Sequence, residues 1–268
     1  MKLSHQRALE CASSAARAAG RLMRREKNAP KKINEQSQRD IKLELDVLCQ
    51  KLIEKILLRS FPQAAVLGEE GVSGLQDAAL RWVVDPIDGT VNFTYGVPHA
   101  CVSIALQEQS EGGEFSTVAG VVHDPFVGEL WTATRGAPAR LNGTVIHASR
   151  RKELAEAIVA IGFSKTEESL NENLPVFNAL VRRVRKIRMM GAAALSLVYV
   201  ASGRFDAYIE SGVSLWDIAA GGLILECAGG EFWHRPLPGG AQYRMIASNG
   251  LLRAKLERVA REARKGKT

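Results

Sequence analysis

Two short acidic segments, Gly68-Glu69-Glu70-Gly71 and Asp85-Pro86-Ile87-Asp88-Gly89-Thr90, carry the side chains best suited to chemistry. Each follows an apolar run with strand character. Four carboxylates, Glu69, Glu70, Asp85 and Asp88, should therefore leave strand ends and face one crevice, which is where open α/β sheets bind ligands. Pro86 fixes its own backbone and biases Asp85 toward an extended conformation, while Asp88-Gly89 suits a tight reversal. Both aspartates can then aim at one spot. Carboxylates crowded together without cations repel and take up protons, so a cluster that stays ionised at neutral pH calls for bound metal. All-oxygen donors favour Mg²⁺ or Mn²⁺ over zinc. Gly89, Thr90 and the residues after them can present backbone N–H groups at the start of a helical turn, a seat for phosphate. Either segment alone could be an ordinary polar loop; the two together argue for a site.

A third acidic element is Asp217 in Ser214-Leu215-Trp216-Asp217-Ile218, where it opens an apolar helix and on its own reads as an N-cap. Glu210, at the end of the run Phe205-Asp206-Ala207-Tyr208-Ile209-Glu210, is ambiguous between an acceptor for substrate hydroxyls and a strand-end charge. Other phosphatase chemistries fit less well. Cys11 to Arg17 has the spacing of a cysteine-phosphatase loop but lies within an Ala-rich amphipathic helix pattern, and an aspartyl-phosphate enzyme needs D-x-D-G-T, one residue tighter than Asp85 and Asp88. No G-x-S-x-G, Walker A or G-x-G-x-x-G match occurs, and the histidines form no metal-binding pair.

The elements that must position these residues follow from periodicity. Residues 3–27 and 41–60 read as helices, from apolar residues at three- and four-residue steps. From residue 64 onward, AAVLG, RWVVD, CVSIALQ, TVAGVVHD, ELWTAT and TVIHAS read as strands of a largely antiparallel sheet. After about residue 150 strands alternate with helices over 168–185, 192–202, 216–228 and 251–265, the pattern of an α/β layered half. The expected organisation is a single unit over 1–268, with an N-terminal region (1–150) of helices plus sheet and a C-terminal α/β half (151–268).

With 268 residues, 46% of them hydrophobic, the chain can bury a sizeable core. It contains no apolar run of membrane-spanning length and begins without a signal-peptide pattern, so no membrane association and a cytoplasmic location are expected. The four scattered cysteines should be reduced. A net charge of +7 is concentrated between Arg182 and Arg188 and in the tail from Arg253, where seven basic side chains face two acidic ones. These runs lack interleaved aromatics and read as solvated helix faces, leaving nucleic-acid or protein binding as the competing class of function.

Taken in order, GEE, WVVDPIDGTVNF and LWDIAAG resemble the motifs of the inositol monophosphatase family, and the likeness extends over nearly the whole chain. It implies a layered αβαβα sandwich, a homodimer, and Mg²⁺-dependent hydrolysis of a small phosphorylated polyol or sugar by a metal-activated water. Carried over by motif position, Glu69, Asp85, the Ile87 carbonyl, Asp88, Thr90 and Asp217 would bind metal, with Glu69, Asp85 and Thr90 the catalytic set. Glu69 and Thr90 would orient the water. Phosphate would rest on Asp88, Gly89 and Thr90, and Ala193, Glu210 and Asp217 would meet substrate, with Ser164 near another such position. The resemblance makes inositol 1-phosphate the first choice of substrate, with fructose 1,6-bisphosphate and histidinol phosphate as alternatives. One departure stands out: where the family reads D-x-V-T-x-x-D, this chain has Lys42-Leu43 between Asp40 and Asp46, which bears on a third metal at Asp46.

Overall fold

A computed structural model describes residues 5–36, 41–75, 77–163 and 167–265. In chain order the first part contains α1 (His5–Glu26), β1 (Ile33–Gln36), β2 (Ile41–Leu43), α2 (Glu44–Ser60), β3 (Ala65–Gly68), β4 (Gly71–Gly74), β5 (Leu80–Asp88) and α3 (Thr90–Thr94). There follow β6 (Cys101–Gln109), β7 (Phe115–Asp124), β8 (Glu129–Thr134), β9 (Arg140–Leu141) and β10 (Thr144–Val145). A 3₁₀ turn (Leu154–Glu156) leads to β11 (Ile158–Ile161), α4 (Glu167–Leu180), β12 (Lys186–Arg188), α5 (Ala193–Ala201) and β13 (Ala207–Ser214). The chain ends in α6 (Leu215–Cys227), β14 (Glu231–Pro236), β15 (Gln242–Ser248) and α7 (Arg253–Lys265).

Hydrophobic patterning stacks these elements into an αβαβα sandwich. The inward stripe of α1 is small, Ala8, Ala12, Ala15, Ala16 and Ala19 with Met23, so the helix lies close on the sheet beside α2. That sheet has eight strands in the order β10-β9-β8-β7-β6-β5-β3-β4, antiparallel except where β3 pairs with β5. Its other face packs on α5 and α6, whose apolar residues fill the centre of the molecule. A five-stranded sheet, β12-β11-β13-β15-β14, covers those helices, and α4 and α7 close its outer face.

Several boundaries differ from the sequence reading, each for a local reason. The second helix begins at Glu44 rather than 41, because Ile41–Leu43 pair with β1 and Asp46 accepts the Leu43 N–H at 2.7 Å. Strand β5 does not stop at Asp85. It continues to Asp88, with its register against β6 broken between the two aspartates. Strand β13 likewise runs past Glu210 to Ser214, and the expected 168–185 helix ends at Leu180. The TVIHAS run pairs only at Thr144–Val145.

Asp206 anchors the start of β13. Its side chain is fully buried and accepts hydrogen bonds from Ser149 Oγ, from Arg151 Nε at 2.7 Å and from the Ile158 N–H at 2.8 Å. Asp206→Ala leaves that amide without its acceptor, and we expect a loss of about 2–3 kcal/mol in stability. Urea unfolding checks this; a change of less than about 0.5 kcal/mol would show that water replaces the carboxylate.

Candidate active site

A cavity of about 630 Å³ opens among β5, α3, α5, β13 and α6, and its lining includes Glu69, Asp85, Asp88, Thr90, Glu210 and Asp217. Glu69 sits in the turn between β3 and β4, and α2 clamps that turn through Gln50. The Gln50 Oε1 accepts the Glu70 N–H at 2.9 Å, while its Nε2 donates to the Gly71 carbonyl at 3.0 Å and to Glu54 at 2.9 Å. Asp85 and Asp88 come from the irregular end of β5, where the Ile87 N–H donates to Asp85 Oδ1 at 3.0 Å. Gly89 then turns the chain with φ +92, and a Cβ there would lie 2.9 Å from the His99 carbonyl. Only glycine meets both demands at low cost.

The Asp88 carboxylate reaches across to α5, accepting the Ala193 N–H at 3.0 Å on one oxygen and the Ala194 N–H at 2.8 Å on the other. Cys101 Sγ lies 3.5 Å from Asp88 Oδ2, and burial with the nearby carboxylates pushes that thiol well up. Thr90 Oγ1 donates to the Ile87 carbonyl at 2.9 Å. Asn92 Nδ2 donates to the carbonyls of His99 at 2.9 Å and Met190 at 2.8 Å, tying α3 to the segment before α5. Asp217 is not the N-cap of α6. That position belongs to Ser214, whose N–H donates to Asp217 Oδ2 at 2.7 Å from the helix's first turn.

Burial raises the Asp85 pKa well above the usual carboxylate range, and Glu69, Asp88, Asp217 and Asp46 add to the rise. Burial also raises Asp88 to about 6 against the opposing pull of the Ala193 and Ala194 amides. Glu210 is pushed up to about 8 by burial, with Asp217 and Asp88 contributing and the Tyr208 hydroxyl working in the other direction. Among the described residues no three acidic, histidine or cysteine side chains already converge as a finished metal cage. The donors are nonetheless all oxygen, and crowded carboxylates of this kind fit a hard divalent cation rather than a thiophilic one.

The model of the inositol monophosphatase family matches residues 4–267. The chain belongs to the inositol monophosphatase family. Similar relatives include a protein of Xylella fastidiosa named Nus factor SuhB, 43% identical over 220 residues, covering 81% of this chain and 78% of that protein. An inositol monophosphatase of Mesembryanthemum crystallinum is 36% identical over 258 residues, covering 91% and 92%. The solved inositol monophosphatase from Anabaena superposes with a TM-score of 0.83 at 32% identity, covering 96% of each chain. Inositol monophosphatases are metal-dependent phosphoric monoester hydrolases.

Of the residues singled out in the sequence, the cavity gathers Glu69, Asp85, Ile87, Asp88, Gly89, Thr90, Ala193, Glu210 and Asp217. Glu70 is not among its lining; what it contributes to the clamp is its backbone N–H. Asp46 is buried behind the lining, its Oδ2 engaged at the start of α2, yet near enough to bear on Asp85. Ser164 and Asp40 lie outside the described residues. Gln50, Asn92 and Tyr208 were not singled out. The first two reveal themselves only in three dimensions, whereas Tyr208 stands two positions before Glu210 on one strand, a spacing that places both side chains on the same face.

The raised carboxyls have a thermodynamic signature. A carboxyl whose pKa is higher in the fold than unfolded holds its proton more tightly when folded, so its contribution is full below the ordinary value and lost as pH rises through the folded one. In chelator-treated protein, Asp88 near 6 and Glu210 near 8 should therefore make the melting temperature fall between about pH 5 and 8. Added Mg²⁺ should raise it, most strongly at the upper end of that range. Calorimetry with and without Mg²⁺ checks this, and a Mg²⁺ effect that shrinks with rising pH would contradict it.

Proposed function

We propose that this protein is a Mg²⁺-dependent phosphatase acting on the monophosphate ester of a small polyol, with inositol 1-phosphate as its substrate. The observation that carries this reading is one cavity joining a carboxylate cluster, the Gly89–Thr90 turn and the separate acid Glu210. Glu69, Asp85, the Ile87 carbonyl, Asp88 and Asp217 would hold the cation, with Mn²⁺ as a substitute. When bound, Mg²⁺ neutralises phosphate charge and lowers the pKa of water, the terms on which phosphoryl transfer mostly depends. Glu69 would accept a hydrogen bond from the attacking water and Thr90 would help to orient it. Phosphate rests against Asp88, Gly89 and Thr90, while Ala193, Glu210 and Asp217 meet the alcohol portion. An additional cation would bind at Asp46, whose Oδ2 accepts the Leu43 N–H as Asp85 and Asp217 accept theirs.

The rest of the lining bears on the choice of substrate. Besides the acidic cluster the described lining offers the Glu210 carboxyl, the apolar Ile161, Phe163 and Val213, and the amide of Gln242. Hydroxyl groups suit such a surface. The second phosphate of fructose 1,6-bisphosphate would find no Lys, Arg or His among the described lining, which disfavours that alternative. Histidinol phosphate would bring a cation and is the stronger competitor.

The protein in this reading is a cytoplasmic homodimer. Among the described residues no helix is long and apolar enough to cross a membrane. Exposed Tyr95, Val97 and Met189 offer apolar surface for a second copy.

A second reading, binding of nucleic acid or protein through basic surface, draws on two facts. Arg182, Arg183, Arg185, Lys186 and Arg188 are all exposed, and Arg183 reaches α7 through Glu262 at 3.8 Å, so the two basic runs are neighbours. Several similar relatives carry the name Nus factor SuhB.

Phosphate release from inositol 1-phosphate, fructose 1,6-bisphosphate and histidinol phosphate, with Mg²⁺ and with chelator, tests the enzyme reading. Wild type should turn over the first most efficiently, and Asp85→Asn should lose at least about a thousandfold in kcat while keeping its fold. Folded wild type that releases no phosphate from any of them would sink it. Salt-sensitive RNA binding that persists in Asp85→Asn would then favour the second reading.

A further inference from the structure

Tyr208 is buried at 3% exposure, and among the described residues its hydroxyl donates to the carboxylate of Glu210. Both side chains project from the inner face of β13, whereas Ile209 between them packs in the outer core. The Tyr208 ring is gripped by the apolar centre of the molecule, and its backbone pairs with Ala160 on one side and Ala247 on the other. The phenol is thus a fixed donor. Glu210, by contrast, carries its carboxylate on a flexible stem.

The seat for that carboxylate is made by Gly162. A Cβ at this position would lie 1.7 Å from Glu210 Oε2, so the carboxylate occupies the space that any larger residue would fill. Gly162 is held in turn, its N–H donating to the Ile209 carbonyl at 3.2 Å and its carbonyl accepting from Asn173 Nδ2 at 3.1 Å. Glu210 Oε2 is committed to Tyr208, and Oε1 takes no protein hydrogen bond among the described residues, while the residue lines the cavity.

We propose that Tyr208 is a positioning residue for substrate selection: its hydroxyl locks the Glu210 carboxylate so that Oε1 accepts a hydroxyl of the alcohol portion of the substrate. This rests on the polyol-phosphate reading above and deepens it. A carboxylate already held in its bound rotamer loses less conformational freedom on binding than one that swings. The hydroxyl therefore acts on recognition of the alcohol, and the phosphate end of the cavity is served by other residues.

Four proteins, wild type, Tyr208→Phe, Glu210→Gln and the double variant, are compared on inositol 1-phosphate and on 4-nitrophenyl phosphate, which has no hydroxyls to recognise. Phenylalanine keeps the ring and its packing. Tyr208→Phe should raise KM for inositol 1-phosphate roughly tenfold with kcat retained, the loss of one positioning hydrogen bond. Its 4-nitrophenyl phosphate kinetics should stay within about twofold of wild type. In the Glu210→Gln background the same change should add little, because the two residues act as one unit. Equal losses on both substrates, or additive losses in the double variant, overturn the proposal and leave Tyr208 a core residue. Wild type that hydrolyses 4-nitrophenyl phosphate but neither inositol 1-phosphate nor histidinol phosphate overturns the substrate reading and this inference with it, before any variant is made.

Discussion

The reach of the Asp88 carboxylate to two backbone amides of α5 is the interaction on which the site depends. It joins the irregular end of one sheet to the helix layer that supports the other, and it places negative charge where the helix presents its unpaired N–H groups. Those amides also lower the pKa of a group that burial alone would drive further up. Remove them and the cavity loses both a wall and a reason for one of its charges to persist. Three other acidic side chains of the cavity surround that junction: Asp85 earlier on the same strand, Glu69 on the clamped turn, and Asp217 at the start of the helix beside α5.

Charge gathered in this way opposes folding, and the surrounding architecture shows how it is contained. Asp85 and Asp217 each accept a backbone N–H close by in sequence, and Gln50 holds the turn that carries Glu69. Local bonds of this kind fix direction without supplying a compensating positive charge. The cluster sits within a protein whose net charge is +7, most of its cations standing on outer surfaces. Family membership and donor chemistry agree on the remedy, a divalent metal.

Much of this was legible in the sequence because it is local. Pro86, the Asp88-Gly89 pair and the apolar runs before Glu69 and Asp85 report their backbone preferences directly, and the alternation after residue 150 gives the layered α/β half. The reading failed where a tertiary partner overrides a local signal. Strand β5 continues through Asp85 to Asp88 because β6 pairs with it on both sides of the irregularity, and Ile41–Leu43 leave the helix because β1 claims them. Asp217 looked like a cap because a helix does begin there; Ser214 fills that role, which no composition argument distinguishes. Gln50 and Asn92 carried no signal at all, since an amide reveals its use only through the carbonyls it finds.

The Cys101 thiol, fully buried against Asp88, gives the crevice an internal clock. A maleimide or disulfide reagent cannot reach that sulfur while β5 and β6 stay paired, so its labelling rate reports how often this strand pair opens rather than how reactive the thiol is. The cysteine thus turns the breathing of the cavity wall into a covalent record, independent of any substrate.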